Sequence, residues 1–318
     1  MDIKFWWKKA PDFMLFINFF FDFLILIKNL FIKKYQSRLK VICVGNFTLG
    51  GSGKTPMVRY LREALTKKGY DCAVLLRGYK GKFKGPLIVD INTHLSSEVG
   101  DEALLHAKDG LTIVSKSRVK GCKYIEKLDV DLIILDDAFQ HRSLARDIDV
   151  VLINSQDQQV DHRMFPYGSL REPPKNLKRA DFVILSKTNI KTPSSYLIGL
   201  TKKIGVPTYF SSFNYVELIS PSGEKLKPTG NQKVLALSAI GDPESFYETI
   251  EQHNFNIVKK TSFSDHHEYC QSDIDTIKNE KKTFDLVITT EKDLSLIHIS
   301  EPTRPERIGD AGVWVEKK

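Results

Sequence analysis

Residues 44–56 read VGNFTLGGSGKTP, a glycine-rich stretch that ends in a lysine, a threonine and a proline. A loop of this kind binds phosphate through backbone N–H groups, while the lysine ammonium reaches the outer phosphates and a hydroxyl contacts the metal ion. Lys54 supplies the charge, which also makes it a catalytic candidate, and Thr55 supplies the hydroxyl. The candidate nucleotide-binding residues of this loop are Thr48, Leu49, Gly50, Gly51, Ser52, Gly53, Lys54 and Thr55.

One position of the loop departs from the usual pattern, which has glycine where this chain has Thr48. The replacement is tolerable if the backbone at Thr48 does not need a positive φ. Taken alone, the loop does not establish nucleotide binding, because glycine-rich turns between a strand and a helix also occur for packing reasons.

An acidic pair, Asp136 and Asp137, ends the apolar run LIILDD. Carboxylates at the C-terminal end of a parallel strand face the same crevice as the phosphate loop, where such enzymes hold Mg²⁺. A lone pair of this kind is more often a solvated turn, but together with the loop it indicates binding of ATP or GTP. We therefore predict that Asp136, Asp137 and Thr55 hold Mg²⁺. Gln140 and His141 follow directly and are interpreted as lining the nucleotide or acceptor site, with packing as the alternative.

From residue 40 onward, short apolar runs alternate with helical stretches. Continuous apolar strands separated by helices predict a parallel sheet covered on both faces. The predicted fold class is α/β: a phosphate-loop NTPase-type lobe with a parallel sheet, a smaller second α/β lobe, a β-ribbon that joins the two, and an N-terminal membrane-associated helix. The predicted divisions are the N-terminal helix over 1–39, the phosphate-loop lobe over 40–205, the ribbon over 206–230, the second lobe over 231–293 and a tail over 294–318.

The N-terminal segment is the most apolar part of the chain. Residues 13–32 would form a helix roughly 30 Å long, enough in principle to span a bilayer. Asn18, Asp22, Asn29 and Lys33 nevertheless fall on one narrow stripe of that helix. An apolar helix with a single polar stripe favours a monotopic segment sunk in one leaflet. A buried core helix and a transmembrane anchor are the alternatives.

The net charge of +8 is concentrated beside this segment. The first forty residues carry eight lysines and arginines against three aspartates, a net charge of +5. This pairing of charge and apolar sequence favours an anionic membrane surface over nucleic acid. The four cysteines lie far apart with no paired spacing, which argues against a zinc site or a disulfide framework and is typical of reduced thiols in the cytosol.

Seven motifs occur in the order VGNFTLGGSGKTP, LLRGY, VGDEALL, LDDAFQHR, YGSLREP, FSDHH and ITTEKD. Together they resemble the tetraacyldisaccharide 4'-kinase family, lipid A biosynthesis enzymes of Gram-negative inner membranes, over residues 1 to about 293. That family carries threonine or serine at the position of Thr48.

This resemblance implies transfer of the γ-phosphoryl group of ATP to the 4'-hydroxyl of a lipid A disaccharide 1-phosphate. The expected cofactors are ATP and Mg²⁺. The expected location is the cytoplasmic face of the bacterial inner membrane, with peripheral or monotopic attachment to inner-membrane lipids. Neither nucleic acid nor an obligate protein partner is implied.

The resemblance also implies roles for single side chains. Asp101, at the start of a predicted helix, would be the base that takes the proton of the sugar hydroxyl, paired with His266. A first-turn acid favoured by the helix dipole is the alternative for Asp101, and on sequence alone His267 fits as well as its neighbour. Arg171 would act on the transferring phosphate. Glu172 would add a carboxylate on the metal side, although a surface ion pair explains Glu172 equally well.

The sequence after Asp293 departs from the family pattern. It reads LSLIHISEPTRPERIGDAGVW, which does not continue with the expected apolar elements and is typical of a translated adapter or a frameshift. We predict that residues 294–318 form a non-native tail.

Two other functions fit parts of the sequence. A membrane-associated phosphate-loop GTPase would read guanine with SKTN at residues 186–189, although Asn189 stands where an aspartate is required. A non-catalytic membrane adaptor that keeps the fold is the other alternative. The intact Lys54, Thr55 and acidic pair argue against the adaptor.

Overall fold

The computed structural model describes residues 32–159, 162–165, 167–212, 217–219, 225–226, 232–264, 267, 269–280, 283–293 and 313–317. These residues divide into two compact units. The first contains the described residues up to 212 except 95–97, and the second contains 95–97 and the described residues from 217 onward.

Strands and helices alternate along the first unit, the order expected of an α/β domain. The elements before residue 213 are β1 (Lys40–Asn46), α1 (Lys54–Thr66), β2 (Cys72–Leu76), β3 (Leu87–Ile88), α2 (Ser96–Val99), α3 (Asp101–Asp109), β4 (Thr112–Val114), α4 (Arg118–Ile125), β5 (Leu132–Asp136), β6 (Ile148–Asn154), a 3-10 helix (Pro174–Arg179), β7 (Phe182–Ser186), α5 (Ser195–Ile204) and β8 (Thr208–Phe210).

These strands form one eight-stranded sheet in the order β3-β4-β2-β5-β1-β6-β7-β8. Every neighbouring pair is parallel except β3 with β4. All residues of β2 and β5 are buried, and because successive side chains point to opposite faces, both faces of the sheet are covered there. The predicted parallel sheet is confirmed. Strand β1 lies between β5 and β6, so three strands end together where the glycine-rich loop begins.

Helix boundaries in this unit follow capping chemistry. The side chains of Ser117 and Ser194 accept hydrogen bonds from the backbone N–H groups of Lys120 and Leu197, which satisfies one free donor at the start of α4 and of α5. Helix α5 ends at Ile204, and the next residue, Gly205, has a φ of 75° that is costly for residues with a side chain. These local signals fix where each helix begins and ends on the sheet.

The second unit contains a smaller sheet. Its elements are β9 (Glu217–Ile219), β10 (Lys225–Leu226), β11 (Lys233–Ser238), α6 (Pro243–Gln252), β12 (Asn256–Ser262), α7 (Gln271–Asn279), β13 (Leu286–Thr290) and β14 (Val313–Lys317). The strand order is β10-β9-β14-β13-β11-β12. The pairs of β11 with β12, β11 with β13 and β13 with β14 are parallel, whereas β9 runs antiparallel to β10 and β14.

The structure bears on three of the divisions predicted from the sequence: the ribbon, the N-terminal helix and the tail. The ribbon does not begin at residue 206, because Thr208–Phe210 pairs with β7 as the edge strand β8 of the first sheet. Strands β9 and β10 do form the antiparallel pair expected of a ribbon. The proposed N-terminal helix lies outside the described residues. The predicted non-native tail of residues 294–318 stays a prediction, and the structure describes part of it as β14.

Membrane crossing was one of the alternatives for the N-terminal segment. Among the residues that the structure describes, no helix combines the length and the apolar character needed to cross a membrane.

Candidate active site

The glycine-rich loop joins the C-terminal end of β1 to the first residue of α1. Gly50 and Gly53 adopt φ values of 121° and 80°, in the region that favours glycine, and Gly53 directly precedes α1. Thr48 is not among the described non-glycine residues with a positive φ. The condition set for tolerating threonine at this position is therefore met. Its hydroxyl donates to Asp157 Oδ2 at 3.2 Å.

A second segment pairs with the start of the loop. Thr48 forms an antiparallel bridge with Leu170, the N–H of Leu49 donates to the carbonyl of Ser169 at 2.6 Å, and the N–H of Arg171 donates to the carbonyl of Phe47 at 3.1 Å. This pairing explains how the SLREP motif, more than a hundred residues further along the chain, reaches the phosphate loop.

Asp137 is the centre of a charged cluster beside the loop. Arg171 Nη1 donates to both carboxylate oxygens, at 2.8 and 3.0 Å, and Lys54 Nζ lies 3.9 Å from Oδ1. Burial raises the pKa of Asp137, but the positive charges of Lys54 and Arg171 outweigh burial and hold the pKa below its ordinary value. Asp137 also has a φ of 51°, an uncommon backbone state that is concentrated at functional sites.

Asp136 occupies the last position of β5, in register with Val44 of β1. Its side chain is 2% exposed, and Oδ2 lies 2.8 Å from Nε2 of His106. Oδ1 is buried and has no hydrogen-bond partner among the described residues. An unpartnered carboxylate oxygen beside a phosphate loop fits Mg²⁺, which is usually held by one or two carboxylates together with substrate phosphates. The described residues contain no group of three or more acidic, histidine or cysteine side chains able to hold a metal ion.

Glu172 is held by a full set of donors. Arg179 donates to both carboxylate oxygens, at 2.8 and 3.0 Å, while Asn176 donates to Oε2 at 2.8 Å and Gln140 to Oε1 at 3.2 Å. Gln140 also donates to the carbonyl of Asn46 at 3.0 Å, which links Glu172 to the end of β1. The structure thus places Glu172 and Gln140 beside the loop in a structural network, and their predicted roles toward metal and nucleotide stay predictions.

A family model described as tetraacyldisaccharide-1-P 4'-kinase (LpxK) matches residues 13–315. The chain belongs to this family. A tetraacyldisaccharide 4'-kinase from Chlorobaculum tepidum is 35% identical over 291 residues, which cover 88% of this chain and 83% of the relative. One from Bradyrhizobium diazoefficiens is 31% identical, with 87% and 80% covered.

A solved structure of a family member is also similar to this chain. The crystal structure of LpxK from Aquifex aeolicus in complex with ATP matches with a TM-score of 0.72 at 30% sequence identity. The match covers 96% of this chain and 92% of that chain. The α/β architecture with a large, mostly parallel sheet is therefore that of the 4'-kinase family.

The structure describes Asp101, the proposed base, but not its proposed partner His266. Asp101 is buried, with 5% of its surface exposed, and is the first residue of α3 after Gly100, whose φ is 92°. His266 lies outside the described residues. Its neighbour His267 in the second unit hydrogen-bonds Asp273 Oδ2 at 2.9 Å and stacks on Phe263. The pairing of Asp101 with His266 stays a prediction.

His141 has well-defined partners on the loop that follows the acidic pair. Its Nε2 lies 2.7 Å from the hydroxyl of Ser143, and its carbonyl accepts from Arg146 Nη1. These contacts hold the turn after Gln140, and the predicted role of His141 in binding nucleotide or acceptor stays a prediction.

Two buried residues that contact the acidic pair could not be recognised as site residues from the sequence. His106 contacts the side chain of Asp136, and Arg118 donates to the carbonyls of Asp136 and Asp137 at 3.0 and 3.4 Å. Burial lowers the pKa of Arg118, and the nearby carboxylates act in the opposite direction. One signal was present for His106: it is a histidine within the otherwise apolar run ALLHA, which begins two residues after the candidate base Asp101.

Proposed function

We propose that this chain is a tetraacyldisaccharide 4'-kinase, which transfers the γ-phosphoryl group of ATP to the 4'-hydroxyl of a lipid A disaccharide 1-phosphate. The observation that carries the proposal is the cluster of Lys54, Asp137 and Arg171 at the phosphate loop, in a chain that belongs to the 4'-kinase family. The ATP complex of the Aquifex aeolicus relative supports ATP as the donor.

The reaction needs few covalent events. The 4'-hydroxyl oxygen attacks the γ-phosphorus, the bond from that phosphorus to the bridging oxygen of ADP breaks, and the hydroxyl proton passes to a base, for which we propose Asp101. Positioning and charge neutralisation account for most of the catalysis in phosphoryl transfer. Lys54 and Arg171 supply two positive charges for the phosphate oxygens, and losing one such group typically lowers turnover by about 10²-fold or more.

Mg²⁺ fits the carboxylates at the end of β5. Asp136, through its unpartnered Oδ1, together with Asp137 and the hydroxyl of Thr55, would hold the ion, which when bound neutralises phosphate charge. In the structure, Asp137 compensates the charges of Lys54 and Arg171. Phosphate oxygens would compete for these two cations, so the carboxylate of Asp137 would become available as they engage the nucleotide.

We further propose that the chain acts at the cytoplasmic face of the inner membrane, because an acceptor with four acyl chains stays in the bilayer. A described surface supports this location. The basic-aromatic loop, residues 79–84 with the sequence YKGKFK, exposes 59% of Tyr79 and 43% of Phe83, and its three lysines are exposed as well. Lysines interleaved with aromatic rings suit an anionic membrane surface.

The basic-aromatic loop is fixed to the scaffold. Lys116 Nζ donates to the carbonyls of Gly78 and Gly81 at 2.8 and 2.9 Å, and the N–H of Phe83 donates to the carbonyl of Glu98 at 3.0 Å. Glu98 lies shortly before Asp101 in the chain. A loop docked on lipid would therefore hold the start of α3 close to the acceptor.

Sedimentation with anionic and neutral lipid vesicles tests the location. Deleting residues 1–34 should lower binding to anionic vesicles. The double substitution Lys82→Ser and Phe83→Ser should lower the affinity for anionic vesicles further. Loss of the lysine alone should cost about 1 kcal/mol, or about fivefold in affinity. Tyr60→Ser, which removes another exposed aromatic ring on α1, is the matched control and should bind normally. Full binding by the chain that lacks both elements would place attachment on another surface.

Nucleotide competition tests the donor. ATP should displace a fluorescent ATP analogue from the full chain far more effectively than GTP. Preference for GTP would instead support the GTPase alternative, in which residues 186–189 read the base.

A further inference from the structure

His106 and Asp136 form a buried pair next to the proposed metal site. The histidine side chain has no exposed surface, and its Nε2 lies 2.8 Å from Oδ2 of Asp136. We propose that His106 is a positioning residue, which fixes the Asp136 carboxylate so that Oδ1 faces the divalent cation. This inference rests on the proposed function, because it assigns a role to the cation that accompanies ATP.

The chemistry of the two groups sets the direction of the hydrogen bond. An ionised carboxylate only accepts hydrogen bonds, so Nε2 of His106 donates to Oδ2 of Asp136. Nδ1 of His106 is buried and has no hydrogen-bond partner among the described residues. The contact from Nε2 is therefore the hydrogen bond that ties the ring to the described chain at this position.

A hydrogen bond to one oxygen orients the Asp136 carboxylate and leaves its other oxygen open. Asp137, the next residue, is in the opposite situation, because Arg171 contacts both of its oxygens and Lys54 lies nearby. Arg118 also reaches Asp136, but it donates to the backbone carbonyl rather than to the carboxylate. Asp136 thus presents one unpartnered carboxylate oxygen, the kind of ligand that a divalent cation such as Mg²⁺ takes.

Helix α3 is braced so that His106 has little freedom. Arg62 of α1 is buried and donates to the carbonyl of His106 at 2.7 Å and to that of Leu111 at 2.8 Å. Arg59 of α1 forms an ion pair with Asp109, the last residue of α3. Because α1 begins directly after the phosphate loop, the same helix positions the loop and, through His106, the carboxylate opposite it.

Two polar substitutions separate positioning from packing. The amide nitrogen of glutamine reaches about as far as Nε2 of histidine, so His106→Gln should keep the donor to Asp136. The shorter His106→Asn should lose it while remaining polar and similar in size. Leu105→Ala, which removes a buried apolar side chain from the same helix, is the control for loss of packing.

The readout is binding of Mn²⁺ to the full chain in the presence of a non-hydrolysable methylene analogue of ATP, titrated by electron paramagnetic resonance. We expect His106→Asn to weaken Mn²⁺ binding by about 10–100-fold, the range seen when partners of metal ligands are removed. His106→Gln should retain most of the affinity, and Leu105→Ala should bind Mn²⁺ normally even if its melting temperature falls. Affinity for the analogue without metal should be unchanged in all three.

Two results would overturn the inference while leaving the proposed function intact. One is normal Mn²⁺ affinity in His106→Asn beside a wild-type chain that binds Mn²⁺ and the analogue. The other is equal weakening in His106→Gln and His106→Asn, which would show that the hydrogen bond to Asp136 is not the cause. A wild-type chain that binds neither Mn²⁺ nor the analogue would overturn the proposed function and the inference together.

Discussion

The contact between Glu172 and Arg179 allows a structural role to be separated from a metal-binding role. Arg179 makes two hydrogen bonds to the carboxylate, and the two side chains are 9% and 24% exposed, for Glu172 and Arg179 respectively. Removing one partner of a fully buried pair costs about 3–5 kcal/mol. Because Arg179 keeps a quarter of its surface in water, we expect Glu172→Ala to cost about 2–3 kcal/mol locally.

A double-variant cycle isolates the pair from its surroundings. Arg179 also lies over the ring of Phe139, 4.4 Å from its centroid, so Arg179→Ala loses that contact as well. The cycle cancels such separate losses and should leave a coupling free energy of about 2 kcal/mol. If the pair acts as one unit, Glu172→Ala combined with Arg179→Ala should be scarcely less stable than the worse single variant.

Hydrogen exchange followed by mass spectrometry is the suitable assay, because a chain with two compact units need not unfold in one step. The amide of Arg171, bonded to Phe47, reports on local opening of this segment. Exchange in a peptide covering residues 167–180 should accelerate about 30-fold for each 2 kcal/mol lost. Exchange factors that multiply in the double variant would refute the coupling. A loss of Mn²⁺ affinity in Glu172→Ala but not in Arg179→Ala would instead support the metal role.

Two further predictions concern the proposed dyad and the segment that follows the N-terminal region. If Asp101 and His266 act as one unit, each alanine variant should lower kcat strongly at saturating ATP, and the double variant should be scarcely worse; multiplying losses, or damage only in His267→Ala, would exclude this dyad. Glu126 accepts hydrogen bonds from Tyr35, Ser37 and the amide of Arg38. Burial raises the Glu126 pKa, but these bonds lower it below its ordinary value. Their stabilisation is therefore present above the unfolded pKa of about 4.3 and is lost as pH falls through the folded pKa. Urea midpoints of wild type and Glu126→Gln should converge on acidification, and a constant gap would contradict this.

The central strands of the large sheet and the glycine-rich loop after β1 could be predicted from local sequence. Strand β5 is a continuous apolar run that ends in two aspartates, and the glycine-rich stretch marks the turn from β1 to α1. Both signals are local. A strand buried on both faces requires apolar residues along its length, and a backbone position with a positive φ favours glycine. The condition on Thr48 could be stated in the same way and was met.

Contacts between distant segments could not be predicted in this way. Nothing near Arg118 in the sequence indicates that its guanidinium reaches the carbonyl of Asp136, and the bond from His106 to Asp136 joins a helix to a strand thirty residues away. The carboxylate of Glu172 looked like a metal ligand or a surface charge, whereas its surroundings are set by the 3-10 helix that carries Asn176 and Arg179. Propensity and periodicity describe single elements, and these networks depend on how the elements meet.

The most direct test of the 4'-kinase function is transfer of label from ATP, radiolabelled at its γ-phosphate, to a lipid A disaccharide 1-phosphate in detergent. With the full chain and Mg²⁺ we predict a labelled lipid that carries one more phosphate than the acceptor, with the label at the 4' position. Lys54→Ala should lower the rate by about 10²-fold or more, because it removes a positive charge from the phosphate site. Release of labelled phosphate to water without labelled lipid, or an undiminished rate in Lys54→Ala, would contradict the assignment of this site as the kinase centre.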